Sequence, residues 1–289
     1  MPAGRPPALF RLARAITRRR WRGGYRLQDA IRRAGLLNRV VRYRISDGVT
    51  VDVPIWRPEN AWDRDDLLAY QSELVDDLVG AVEGMQAPAT LLDCGADIGL
   101  VSVMVAARCG ERLSLIVAVE PNRTAYDVLE GNLARLRSPS RAIHAAAADF
   151  AGRGSLVSPE YDASDHARFL VAKADGDIPV VRVDDLELPA EAPLVIKLDV
   201  EGGELQVLRG AERTLAGAAG FAVSFEAHPT VVERTGIDPV DVIAYLNGIR
   251  ECDVRVSELP ELAITTWRPF FSQFDPPRRI GFSVLCRSR

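Results

Sequence analysis

Residues 91–100 read L-L-D-C-G-A-D-I-G-L. An apolar run ends in Asp93, a turn carries Gly95 and Gly99, and an apolar segment resumes at helical spacing, which predicts a strand, a tight turn and a helix start. Open α/β sheets bind nucleotides at such junctions, beyond the carboxyl ends of their strands. A second apolar run, L-I-V-A-V over 115–119, ends in Glu120, followed by Pro121 and Asn122. An acid at the tip of the neighbouring strand is placed to accept hydrogen bonds from two ribose hydroxyls. The two runs predict a nucleoside cofactor; the alternative is a glycine pair that only punctuates a turn.

Glycine spacing selects the nucleoside. A dinucleotide fold uses G-x-G-x-x-G so that backbone can approach a pyrophosphate. Here the pattern is Asp93-x-Gly95-x-x-x-Gly99, with Ala96 and Asp97 between the glycines. Two carboxylates flanking the turn repel a diphosphate and suit a cofactor that carries an amine and a sulfonium. S-adenosylmethionine has both.

A third motif, residues 195–204, reads V-I-K-L-D-V-E-G-G-E and continues as L-Q-V-L-R-G-A. Taken with D-C-G-A-D-I-G and E-P-N, it resembles the FkbM-type S-adenosylmethionine-dependent methyltransferases over residues 90–228. Asp97 stands where that family usually has Asn, and Gly203 where Ala is common. The resemblance implies a class I methyltransferase, Rossmann-like: a mostly parallel seven-stranded sheet with helices on both faces and an antiparallel closing pair. It also implies methylation of a hydroxyl on a sugar or a secondary metabolite.

The chain has 289 residues and 47% hydrophobic content, enough for one α/β enzyme with an extension. No run approaches the ~18 apolar residues of a membrane span. Residues 1–22 are Arg-rich without a secretory apolar core or cleavage site, which predicts a cytoplasmic protein. Cys94, Cys109, Cys252 and Cys286 form no C-x-x-C and predict buried or semi-buried free thiols, with no metal site.

The net charge of −4 divides unevenly: residues 1–44 carry +12 and the remainder −16. In that Arg-rich extension Leu9, Leu12, Ala13 and Ile16, then Leu27, Ala30, Ile31 and Ala34, follow helical spacing. Two basic amphipathic helices there would suit an anionic membrane surface, a phosphorylated substrate carrier or the acidic body itself. The alternative is a solvated arm packed on its own domain. Residues 45–289 form the methyltransferase domain.

Along the body a strand is expected over 49–55 and one helix over 63–82. Strands and helices then alternate: strands at 90–93, 114–119, 142–146, 194–198 and 221–225, helices at 99–108, 124–136 and 203–215. A helix over 239–247 and strands near 254–256 and 280–286 complete the chain. The segment 152–177 is rich in Gly, Ser, Pro and Asp and reads as an irregular acceptor lid containing Tyr161, His166 and Phe169.

Acids cluster at the expected strand ends: Asp93, Glu120, Asp149, Asp199 and Glu226. Asp93 and its turn are assigned to the methionine amine, Glu120 to the ribose and Asp149 to the adenine amino group, with Phe150 or Pro121 against the ring. Asp149 serves equally as a turn cap. Lys197 interrupts an apolar strand beside Asp199, so it either pairs with Asp199 or Glu226 or contacts substrate. Asp199, Glu201 and Glu204 have oxygens for a divalent metal, although acids at a helix start also complement its dipole. His228, in F-E-A-H-P, is the expected general base, the alternative being a turn residue before Pro229; His166 is second and His144 structural.

The sequence reading is an O-methyltransferase with catalytic His228, Asp199 and Lys197, acting on a small-molecule or glycan acceptor. An RNA ribose methyltransferase is opposed by the acidic body, and nucleic acid is not an expected partner. A nicotinamide oxidoreductase is opposed by the missing G-x-G-x-x-G.

Overall fold

A computed structural model of the chain describes residues 40–54, 64–158, 168–275 and 281–289. The arm over 1–39 lies outside these residues, as do Tyr161 and His166. A hairpin, β1 (Val40–Ser46) and β2 (Val49–Pro54), comes first. Its first strand runs through the expected 44/45 boundary. Two helices follow, α1 (Arg64–Ala69) and α2 (Ser72–Glu83). The single helix expected over 63–82 is broken at Gln71, whose backbone is left-handed with φ 48°.

The central strands are β3 (Ala89–Cys94), β4 (Leu113–Val119), β5 (Ser140–Ile143), β10 (Leu194–Leu198) and β11 (Phe221–Ala227), all parallel. Every residue of β3 and β10 is buried, as a strand covered on both faces requires. Two further strands, β12 (Cys252–Val256) and β13 (Phe282–Ser288), close one edge, with β13 antiparallel to both β11 and β12. The order is β12-β13-β11-β10-β3-β4-β5. Helices α3 (Leu100–Cys109) and α4 (Arg123–Leu133) join α2 and the hairpin in one apolar core. On the other face are α5 (Glu204–Arg209), α6 (Glu212–Gly217) and α8 (Pro239–Ile249), while α7 (Pro229–Thr235) follows β11. All four cysteines are buried and free.

Asn132 fastens the hairpin to the turn after β3. Its side chain is fully buried; it accepts from the Asp52 amide (2.7 Å) and donates to the carbonyls of Asp52 (3.1 Å) and Ile98 (2.7 Å).

Two expectations fail for reasons glycine explains. The stretch 203–215 is two helices because α5 stops at Gly210, where a Cβ would lie 2.0 Å from the Ala148 carbonyl oxygen. The described parts of 152–177 contain strand where loop is expected: β7 (Gly152–Val157) pairs antiparallel with β8 (Phe169–Ala172) and with β9 (Ile178–Val181), just past the segment. With β6 (Ala146–Ala147) they form a second sheet, β6-β9-β7-β8. A Cβ on Gly176 would lie 2.1 Å from the Gly154 carbonyl oxygen, so this glycine permits close chain approach where composition reads as loop.

Candidate active site

The turn after β3 is built on positive φ angles at Gly95 (74°), Asp97 (49°) and Gly99 (77°). The amides of Gly95 and Ala96 donate to the Val119 carbonyl (2.9 and 3.2 Å), which draws the turn over the tip of β4. A Cβ on Gly95 would lie 1.8 Å from the Asp199 carbonyl oxygen, so only glycine lets β3 and β10 meet there. Gly99 caps α3, and its added Cβ would strike Leu129 at 2.5 Å. Gly99 and buried Ala96 therefore shape the turn from behind and do not line the cleft.

Glu120, 7% exposed, is gripped from both sides. Its Oε2 accepts from the Asp97 amide (2.7 Å) and its Oε1 from the Asn122 amide (2.8 Å). A carboxylate offers about four lone-pair sites, so one on each oxygen is left for two neighbouring hydroxyls. Burial, then the Asp97 charge, pushes its carboxyl up to about 7, against the pull of the two amides. Asn122 also caps α4, accepting from the Thr124 amide at 3.0 Å.

Behind the turn lies a buried ion cluster. Lys197 and Asp93 are register partners on β10 and β3, so their side chains share one face of the sheet. The Lys197 ammonium donates to the Gly95 carbonyl (2.6 Å) and pairs with Asp93 (3.2 Å) and Asp199 (3.4 Å). The Gly95 carbonyl is its hydrogen-bond acceptor and the two carboxylates are its counter-ions. Burial alone would lower the Lys197 pKa, but Asp93 and Asp199 hold it above the ordinary range. Ser102 Oγ donates to Asp93 at 2.7 Å. Asp93, 1% exposed, is thus the counter-ion of Lys197 and does not reach the cleft, which corrects its assignment to the methionine amine. Lys197 thus bridges the Gly95 carbonyl and the Asp199 carboxylate, the ion-pair alternative of its sequence reading.

The cleft encloses about 770 Å³ at the carboxyl ends of the strands. Gly95, Asp97, Glu120, Pro121, Asn122, Phe150 and Asp199 line it together. Asp149 does not: it is exposed, while its neighbours Ala148 and Phe150 face inward. His228 does not either. A residue before proline prefers extended backbone, and His228 at φ −128°, ψ 126° caps α7, its Nδ1 accepting from the Thr230 amide at 3.2 Å. Burial, then Arg234, lowers its pKa. We expect His228→Ala to leave cofactor affinity unchanged, to alter turnover less than about threefold and to cost about 0.5–2 kcal/mol of stability as a lost cap, measured by urea denaturation.

Further carboxylates line the cleft beside Asp199. Glu201, in left-handed backbone at φ 53°, is pushed up to about 8 by burial and by its neighbours Asp199 and Glu226. Glu226 is exposed and lines the cleft, and desolvation by its surroundings with the Asp199 charge raises its carboxyl to about 7. Glu204 is buried and accepts from the Gly202 amide at 3.2 Å, closing its own loop. No cluster among the described residues is arranged to hold a metal ion.

The lining also includes Tyr70, Gln71, Gln206 and Phe169. Phe169 lies 4.5 Å from the Arg234 guanidinium, which donates to the Glu201 carbonyl at 2.6 Å. The polar Tyr70-Gln71 pair interrupts the apolar spacing of 67–79 and is the sequence signal for the helix break that brings both residues to the cleft. Gln206 gives no signal, being one polar residue on an amphipathic helix.

A seven-stranded sheet in this order, with a glycine turn and a buried acid at adjacent strand tips, defines a class I methyltransferase domain. The family model of the methyltransferase FkbM domain matches residues 93–256, more than half of the chain. The chain belongs to the FkbM methyltransferase family, whose cofactor is S-adenosylmethionine. Among solved structures it is similar to methyltransferase FkbM from Methylobacillus flagellatus (18% identity, 70% of this chain and 44% of that one, TM-score 0.45). It is also similar to a SAM-dependent methyltransferase from Agrobacterium tumefaciens (10% identity, 86% and 70%, TM-score 0.44). A third is precorrin-6y C5,15-methyltransferase from Geobacter metallireducens (13% identity, 75% and 88%, TM-score 0.40). The chain thus spans less than half the length of the Methylobacillus protein. No curated protein matches the sequence.

Proposed function

We propose that this protein is an S-adenosylmethionine-dependent O-methyltransferase acting on a hydroxyl of a sugar, glycan or secondary metabolite. The observation that carries the reading is Glu120, held by two amides with its remaining lone pairs turned to a cleft that the glycine turn also lines. S-adenosylmethionine supplies an electrophilic methyl group on its sulfonium. Glu120 binds the ribose hydroxyls, Pro121 and Phe150 flank the ring, and Asp97 and Gly95 hold the methionine end. Lys197 keeps the Gly95 and Asp199 tips together.

Glu226 accepts the acceptor's hydroxyl proton, since a base near pH 7 is both ionised and basic enough to take it. Proximity provides a further several kcal/mol of barrier reduction. A cleft walled by Asp97, Glu120, Asp199, Glu201 and Glu226 disfavours a polyphosphate ligand, which speaks against RNA and nicotinamide dinucleotides alike. The partner is accordingly a small or glycan acceptor, and the basic arm, outside the described residues, is suited to an anionic surface. No helix among the described residues is long and apolar enough to cross a membrane.

Calorimetric titration with S-adenosylmethionine, its demethylated product and NAD tests the cofactor; NAD binding of equal strength would reject the reading. A panel of hydroxylated acceptors then tests the base. Glu226→Gln is expected to cut turnover by roughly 10²–10⁴-fold. Because the base works ionised, wild-type kcat/KM for the acceptor, with S-adenosylmethionine saturating at every pH, should climb up to about pH 7 and level off above it, and the variant should lose that climb. Full turnover in the variant would move the proton to Asp199 or Glu201.

A further inference from the structure

Gln206 stands out among the polar side chains of the cleft. Its Oε1 is turned into protein, shut off from solvent and without a hydrogen-bond partner, although the half-buried residue lines the cleft, so rotation of the carboxamide brings that oxygen to a ligand. A buried acceptor left unpaired is costly, and a ligand that brings a donor relieves that cost.

The position of Gln206 says which donor. Glu120 divides the cleft, its carboxylate bonded to the Asp97 turn on one side while its own amide donates to the Ile143 carbonyl at the end of β5 (3.0 Å) on the other. The ribose therefore has the methionine end toward the glycine turn and the base toward the segment after β5. That wall offers Ala146, Ala147, Ala148 and Phe150, none with a polar side-chain atom, while Asp149 points outward. Gln206 lies on the helix that packs against this wall: Gly210, whose amide donates to the Gln206 carbonyl at 3.0 Å, abuts the Ala148 backbone. A purine seated between Pro121 and Phe150 has an exocyclic amine to satisfy, and the wall beneath it supplies no side-chain acceptor.

We propose that the Gln206 side-chain carbonyl accepts the hydrogen bond of the adenine 6-amino group and so makes the cleft selective for adenosyl over other purine nucleosides. This rests on the S-adenosylmethionine reading. Gln206 takes the role that the sequence reading gave to Asp149.

The test is calorimetric and needs no acceptor. S-adenosylhomocysteine and its analogue with hydrogen in place of the 6-amino group are titrated into the full chain and into Gln206→Ala and Gln206→Glu. Wild type is expected to favour the amino compound by roughly tenfold. Gln206→Ala should bring the two ligands within about threefold, chiefly by weakening the first, and Gln206→Glu should restore the preference because a carboxylate also accepts. Undiminished discrimination by Gln206→Ala, or equal binding of both ligands by wild type, overturns the proposal while leaving the cofactor assignment in place. If wild type binds neither ligand, the S-adenosylmethionine reading itself falls, and this proposal with it.

Discussion

Replacing Glu120 with alanine is expected to raise the dissociation constant of S-adenosylhomocysteine by roughly 10²–10⁴-fold. Two hydrogen bonds to an ionised carboxylate are lost, each contributing about 1.5–3 kcal/mol. The variant also releases the Asp97 and Asn122 amides, so the turn loses the group that draws it toward β4. A pH signature separates the ribose role from a structural one. In the ligand-free protein the Glu120 carboxyl sits near 7, well above its ordinary value of 4.5, so at pH 5 to 6 it carries a proton that ribose binding must displace. Affinity should therefore strengthen as pH rises through 7 in wild type and stay flat across that window in Glu120→Gln. The same elevation means that the ligand-free native state holds protons an unfolded chain has released, so its stability falls between about pH 5 and 8, and bound cofactor offsets the loss. Unchanged affinity in Glu120→Ala would dismiss the ribose assignment.

Lys197→Met should produce the largest loss of stability, about 3–5 kcal/mol, because it strands the Asp93 carboxylate in the sheet interior without its cation. With a urea slope of about 2–3 kcal/mol/M, the midpoint should fall by roughly 1–2 M. The double variant Lys197→Met with Asp93→Leu should recover much of this, since an apolar pair of similar volume often matches a buried ion pair. A Lys197→Met protein with an unchanged midpoint would show that the cluster contributes nothing to the fold.

The sheet was readable from sequence because its strands are apolar runs that end in acids or glycines, and buried parallel strands have to be apolar on both faces. Glycine spacing and Glu120 located the cleft for the same reason: backbone conformation demands those residue types. What sequence could not show is the direction in which a side chain points. Asp93 and Glu120 both close apolar runs, yet one lies a position inside its strand and faces Lys197, whereas the other lies just past its strand and faces the cleft. His228 has the chemistry of a base, but Pro229 behind it sets the backbone for a cap. Asp149 and Gln206 show the converse, an obvious acid turned out and an unremarkable amide turned in. The strands hidden in 152–177 were missed because the glycines that let its chains approach closely are also the ordinary mark of a loop.

The Asn132 clasp gives the chain a particular order of assembly. Asp52 and its fastener are separated by 80 positions, and on a ribosome adding about 5–20 residues per second that distance takes roughly 4–16 s. Through that interval the nascent hairpin carries Tyr43, Val51 and Val53, all destined for the interior, without the amide that will fasten Asp52. The first of the described strands thus gain this fastening late, and the turn after β3 becomes anchored through Ile98 by the same side chain.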